Sequence, residues 1–186
     1  MLTGRIQIRV DGVPIPQGSK TIGNPYAKGG RPAYIRDDNP RLEAWRDHVT
    51  AVARDTCRYH DTITTPVKVW LRFTFERPVS HYRSGRNSHR LTTRAPLGPT
   101  VQGCGDLDKL TRAVFDSLTK AAVWADDSLV VDVRARKFYA GEDELALDQP
   151  GVVIVLEALT PSATVPVSGD EAVEAGTVQT VQEALL

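Results

Sequence analysis

At 186 residues the chain is long enough for one domain with a real core, and too short for two comfortable ones. With 41% hydrophobic and 25% charged residues it has the composition of an ordinary globular protein, which excludes wholesale disorder. Formal charge is zero at pH 7, so net charge gives no argument for a polyanionic partner. The distribution is less even. Residues 161–186 hold Asp170, Glu171, Glu174 and Glu183 and no Lys or Arg, which leaves 23 basic against 19 acidic side chains elsewhere, a net +4. That excess is mild and does not by itself establish nucleic-acid binding. The two cysteines, Cys57 and Cys104, have neither zinc-site spacing nor the pattern of a disulfide framework. The opening residues lack a signal-peptide apolar run, and no stretch approaches transmembrane length. A soluble intracellular protein with free thiols is expected.

In chain order, Arg5 to Val10 alternates Ile6, Ile8 and Val10 with Arg5, Gln7 and Arg9, the pattern of a half-buried strand. Pro14, Pro16 and Gly18 end it, and a Gly-rich basic loop follows with Lys20, Lys28 and Arg31. Asn39-Pro40 reads as a helix start, with Leu42, Trp45, Val49 and Val52 at helical spacing to about Cys57. Val67 to Phe75 is the clearest strand, and Pro78 stops it. Arg77 to Gly105 is then a long polar stretch carrying Arg77, Arg83, Arg86, Arg90, Arg94, His81 and His89 and no acidic residue. Loops of this length in a compact domain are usually functional or disordered. Leu129 to Tyr139 reads as a strand, with Val131, Val133 and Ala135 on one side and Asp132, Arg134 and Arg136 on the other. Gly151 to Leu159 is a near-continuous apolar run, as in a strand covered on both faces. From Thr160 onward, small, polar and acidic residues predict a disordered tail in which Val178, Val181, Leu185 and Leu186 allow a weak terminal helix. The order β-α-β-α-β-β predicts an α+β domain over residues 1–160, a mixed sheet backed by two helices.

Chemistry concentrates between Gly105 and Ser128. Leu107, Leu110, Val114, Leu118 and Ala121 mark one buried helical face, and Asp108, Arg112, Asp116 and Lys120 fall four apart away from it. Asp106 and Asp108 open the segment, and Asp126 and Asp127 close it. A helix of about fourteen residues spans about 20 Å, so the two ends share a site only if the chain folds Asp127 back. Carboxylates gathered in this way need a cation, and magnesium suits one or two carboxylates plus phosphate oxygens. Blander readings stay open. Asp106 or Asp108 can cap the helix, the four-residue ladder can be a row of surface ion pairs, and Asp126-Asp127 can be a polar turn. Asp116 is expected to be structural and Asp126 to act as support.

The run Gly105-Asp106-Leu107-Asp108-Lys109-Leu110, then Phe115-Asp116-Ser117-Leu118, then Trp124-Ala125-Asp126-Asp127-Ser128, resembles the RusA-type Holliday-junction resolvases. His81-Tyr82-Arg83-Ser84-Gly85-Arg86-Asn87 is similar to a stretch found in some of them. The resemblance implies a magnesium-dependent endodeoxyribonuclease, with manganese as a substitute, that resolves four-way DNA junctions by paired nicks in recombination and repair. It implies a homodimer in the cytoplasm, encoded by a bacterium or phage. It assigns the metal ligands to Asp106, Asp108 and Asp127, and an active-site base to the position of Arg112. The family commonly has Lys there, and Asn where this chain has Lys109. Arginine keeps the charge but does not deprotonate, so phosphate contact survives and proton handling does not. The DNA contacts expected are Lys20, Arg83, Arg86, Arg90, Lys109 and Arg112. The alternatives are a branched-DNA-binding protein that does not cut, or a metal-dependent phosphoesterase acting on other nucleic acid.

Overall fold

A computed structural model describes residues 5–18, 20–22, 35–37, 41–100 and 102–159, with side chains for all but 20–22, 35–37 and 102. The expected caps at Asn39 and Pro40, the cations Lys28 and Arg31, and the tail from Thr160 with its weak helix lie outside these residues. The six expected elements are present in order. They are β1 (Arg5–Asp11), α1 (Leu42–Thr56), β4 (Val67–Phe75), α2 (Leu107–Lys120), β5 (Val130–Tyr139) and β6 (Gly151–Ala158). Two short strands, β2 (Lys20–Ile22) and β3 (Ile35–Asp37), pair antiparallel within the early basic segment. They are too short for an alternation pattern to reveal them.

The main sheet runs β1-β6-β4-β5. β1 and β6 are antiparallel, as are β6 and β4, whereas β4 and β5 are parallel. A parallel neighbour requires a crossover, and α2 supplies it. One face carries the core. Ile8, Val69, Leu71 and Ile154 from the sheet meet Trp45, Val49 and Ala53 of α1 and Leu110, Val114 and Leu118 of α2. Side chains on both faces of β6 are buried, as its apolar run predicts. Val152, Ile154 and Leu156 face the helices, while Val153 and Val155 pack with Leu147 and Trp70 behind.

The helices are tied to each other by charge as well as packing. Arg46 pairs with Asp116 at 3.0 Å and Lys120 with Asp47 at 2.7 Å. Asp116 is therefore structural, as expected. The surface ladder along α2 does not form, because two of its members reach across to α1.

β5 departs from simple alternation. Val67 pairs with Val130 and Lys68 with Asp132, so Val131 is the extra residue of a bulge and is 60% exposed. Val131, Val133 and Ala135 thus do not form one packed face. Ala135 packs against the core with Val130, and Val133 stays 45% exposed.

Arg77 also needs correction, since the sequence groups it with the loop cations. It is 5% exposed, and its guanidinium binds both carboxylate oxygens of Glu142. It also donates to the Pro96 carbonyl at 3.0 Å, and its guanidinium carbon lies 3.8 Å from the Tyr139 ring centroid. His81 packs edge-on against the same ring. One buried cation thus joins the start of the basic loop, and Pro96 farther along it, to β5 and to the turn after it. The loop has local order of its own, with Arg83 N–H donating to the Arg90 carbonyl at 2.8 Å and Thr92 N–H to that of His81 at 2.8 Å. Arg83, Arg86, Arg90 and Arg94 remain exposed. Replacing Arg77 by Met strands Glu142 and the Pro96 carbonyl, so a stability loss of about 2–4 kcal/mol is expected in urea unfolding. A loss below about 0.5 kcal/mol, the size of an ordinary surface change, would show that the network carries no stability.

Candidate active site between the second helix and the edge strand

The start of α2 is held from three directions. Gly105 takes the left-handed conformation (φ 65°), and a Cβ there would sit 2.4 Å from Pro16 Cγ, so this position needs glycine twice over. Gln17 N–H donates to the Lys109 carbonyl at 3.2 Å, and Lys137 Nζ donates to the Gly105 carbonyl at 3.0 Å. Asp106 stands at the N-cap in an extended conformation but makes no side-chain capping bond. Its carboxylate instead meets Lys109 at 2.9 Å.

Burial of Leu110, Val114 and Leu118 fixes the rotation of α2. Asp108, Thr111, Arg112 and Phe115 are thereby turned toward β5. There they border an open cavity of about 600 Å³. Leu107, Phe115, Val133 and Ala135 give it an apolar lining, and Asp108, Arg112, Thr111 and Asp127 give it polar groups. None of the ion pairs among the described residues engages Asp108, Arg112 or Asp127. Thr111 is less free, because its hydroxyl donates to the Leu107 carbonyl at 2.8 Å.

The return of Asp127 has local causes. Ala122 adopts φ 58°, which turns the chain out of the helix. Trp124 is 1% exposed, donates from Nε1 to Thr119 Oγ1 at 2.7 Å, and stacks edge-on against Phe115 at 5.3 Å. Ala125 N–H donates to the Ile63 carbonyl at 3.0 Å, which anchors the next residues to the loop before β4. Asp126 then caps the 3-10 turn Asp127–Leu129 by accepting from Ser128 N–H at 2.9 Å. Hydrogen bonding from Ser128, by its side chain first and its backbone N–H second, holds the Asp126 carboxyl below the usual carboxylate range. The turn carries Asp127 to the cavity.

The predicted residues therefore separate. Asp108, Arg112 and Asp127 line one cavity. Asp106 and Lys109 pair with each other beside it. Arg83, Arg86 and Arg90 lie exposed on the loop, and the Lys20 side chain lies outside the described residues. Among the described residues, no three His, Cys, Asp or Glu side chains gather closely enough to enclose a metal ion. Two carboxylates facing one solvent-open cavity do fit magnesium, which keeps several waters and takes its remaining oxygens from substrate phosphate. Lys137 was missed from the sequence. Its signal is a cation two residues after Ala135 on the face of β5 directed toward the helices.

Asp106 is fully exposed. Its carboxyl lies below the usual range chiefly because of the hydrogen bond from Lys109, then because of the charges of Lys109 and Lys137. The stabilisation from a depressed carboxyl is present above its unfolded pKa and lost as pH falls through the folded one. Lys109→Met should raise the Asp106 pKa toward the ordinary carboxylate value in a carbon-detected NMR titration. An unchanged midpoint would mean that the pair does not form in solution.

The geometry is matched by relatedness. The sequence model of the family described as endodeoxyribonuclease RusA fits residues 11–148, which span the cavity, the basic loop, both helices and the strands β4 and β5. Over 49 residues the chain is 49% identical to the crossover junction endodeoxyribonuclease RusA of Escherichia coli O139:H28 (strain E24377A / ETEC). It is 47% identical over 49 residues to the proteins of that name from Escherichia coli K12 and Enterobacteria phage 82. Each alignment takes in 25% of this chain and 41% of the relative. With a match that runs through both helices and from the end of β1 to the turn before β6, the chain belongs to the RusA endodeoxyribonuclease family.

Proposed function

We propose that this protein is a divalent-metal-dependent endonuclease that nicks four-way DNA junctions. One observation carries the reading: Asp108, Asp127 and Arg112 meet in a single open cavity, in a chain whose adjoining loop exposes four arginines. Asp108 and Asp127, joined by Asp106, are the residues that would hold the ion. When bound, a divalent ion such as magnesium or manganese supplies an activated water and offsets the charge that builds on the phosphate.

The chain's own groups do the rest. Arg112 places a permanent cation at the mouth of the cavity, where it contacts a phosphate oxygen and stabilises the developing charge. It cannot act as a base, since a guanidinium does not give up its proton. Lys109 neutralises Asp106 until substrate or metal competes for that carboxylate. Arg83, Arg86 and Arg90 grip the DNA backbone, with Lys20 as a further contact. Two copies related by a two-fold axis would present two such sites to a junction of similar symmetry, giving paired nicks. The non-cleaving alternative draws on the Asp106–Lys109 pair, which occupies one of the three carboxylates.

Asp127→Asn separates these readings. It should lower the rate of junction cleavage by at least about a hundredfold while leaving metal-free junction affinity near that of the wild type. Wild-type cleavage by that variant in magnesium would remove Asp127 from the site. A wild-type protein that binds junctions and never cuts them, with either metal, would select the binding-only alternative. For the loop, replacing Arg83, Arg86 and Arg90 by Gln should flatten the salt dependence of binding by about two to three log units per log unit of salt, since each phosphate contact contributes about 0.9. An unaltered slope would leave the loop as a solvated segment.

A further inference from the structure

The sheet has a second face that the cavity does not use. No helix among the described residues covers it; Leu147, from the turn before β6, packs there with Val153, Val155 and Trp70, and Phe138 is buried on the same face under Arg136. Strand register arranges its side chains in rows. Arg9 lies opposite Val153, Val153 opposite Arg72, and Arg72 opposite Arg136. The next row is Gln7, Val155, Trp70 and Arg134, and the third is Arg5, Glu157, Lys68 and Asp132. Six cations, including Arg5, Arg9 and Lys68, thus share this face with three carboxylates, Asp11, Asp132 and Glu157.

The carboxylates are already committed. Arg5 pairs with Glu157 at 2.6 Å, Arg9 with Asp11 at 3.0 Å, and Arg134 more loosely with Asp132 at 3.9 Å. Among the described residues, Lys68, Arg72 and Arg136 enter no ion pair. Arg72 and Arg136 stand directly opposite on neighbouring strands, where like charges repel. A bound anion would relieve that repulsion. A second copy presenting this face would worsen it.

The aromatic residue in the patch narrows the occupant. Arg5 lies 5.2 Å from the Trp70 ring centroid, and Trp70 is half-buried against its neighbours. Its ring is therefore not open for stacking a base, which points away from single strands and toward the backbone of a duplex. The face lies across the sheet from the cavity, so one straight duplex seated at Asp108 and Asp127 does not also cover it. A branched substrate has another arm to offer. We propose that the helix-free face of the sheet holds the backbone of a second duplex arm of branched DNA, away from the arm at the cavity. The choice of DNA as the polyanion rests on the nuclease reading above, and the charge pattern does not.

The test uses the full chain with Arg72, Arg134 and Arg136 replaced together by Gln. Binding is measured without metal, across a salt series, to a labelled four-way junction and to a linear duplex. Junction affinity should fall about tenfold or more, and its salt slope by about two to three units, with a smaller change on the duplex. The triple lysine variant should restore the slope, since lysine keeps the charge. An unchanged junction slope in a variant with wild-type thermal unfolding would overturn the proposal. So would an equal loss on linear duplex, or polyglutamate competing as well as DNA of matched charge. Because binding is measured without metal, a wild-type protein that fails to cut once magnesium is supplied would count against the nuclease reading and not against this surface.

Discussion

Everything that the site can do depends on the rotation of α2 about its own axis. Leu110, Val114 and Leu118 are each no more than 1% exposed. Each such side chain contributes about 1.5–3 kcal/mol when buried. A turn of the helix by one residue would expose this stripe and carry Asp108 and Arg112 away from β5. No single polar contact at the site competes with that cost. The apolar stripe therefore sets where the charges point, and the charges are free to be chosen for chemistry. The two members of the charged row nearest the end of the helix, Asp116 and Lys120, serve the same purpose by gripping α1.

The ends of α2 are controlled differently. At its start, a left-handed glycine packed against Pro16 and bonded by Lys137 leaves Asp106 exposed beside the cavity. At its far end, a buried tryptophan and an aspartate-capped turn send the chain back toward the middle of the same helix. Both devices spend polar groups on backbone geometry. Asp126 is one such group, and its bond to Ser128 explains why an adjacent pair of aspartates is divided between a cap and a cavity.

Positive charge is likewise divided by burial. Arg77 is enclosed by Glu142, Tyr139 and Pro96 and acts as a rivet for the loop, whereas Arg83, Arg86 and Arg90 project from it. A net charge of zero over the whole chain conceals this arrangement. Cations gather on the loop and on the helix-free face of the sheet, while the segment beyond residue 160 holds four acids and no Lys or Arg.

The sequence by itself determined the six longer elements, helped by periods that differ: two residues for β1 and β4, and three to four for α1 and α2. It also singled out Asp106, Asp108, Arg112 and Asp127 within one segment, and three of these line a single cavity. Only tertiary structure decided how those residues divide. Alternation along β5 gives no sign of the bulge at Val131, which depends on how β5 registers against β4. Composition cannot tell a buried arginine from an exposed one, so Arg77 read as a loop cation until Glu142 was brought to it from 65 positions away. The rows of arginine on the far face are set by strand order, because Arg9, Arg72 and Arg136 belong to three strands joined by long connections. Spacing along a chain fixes which residues share a face of one element. Which elements then lie side by side is settled by burying all the apolar faces at once.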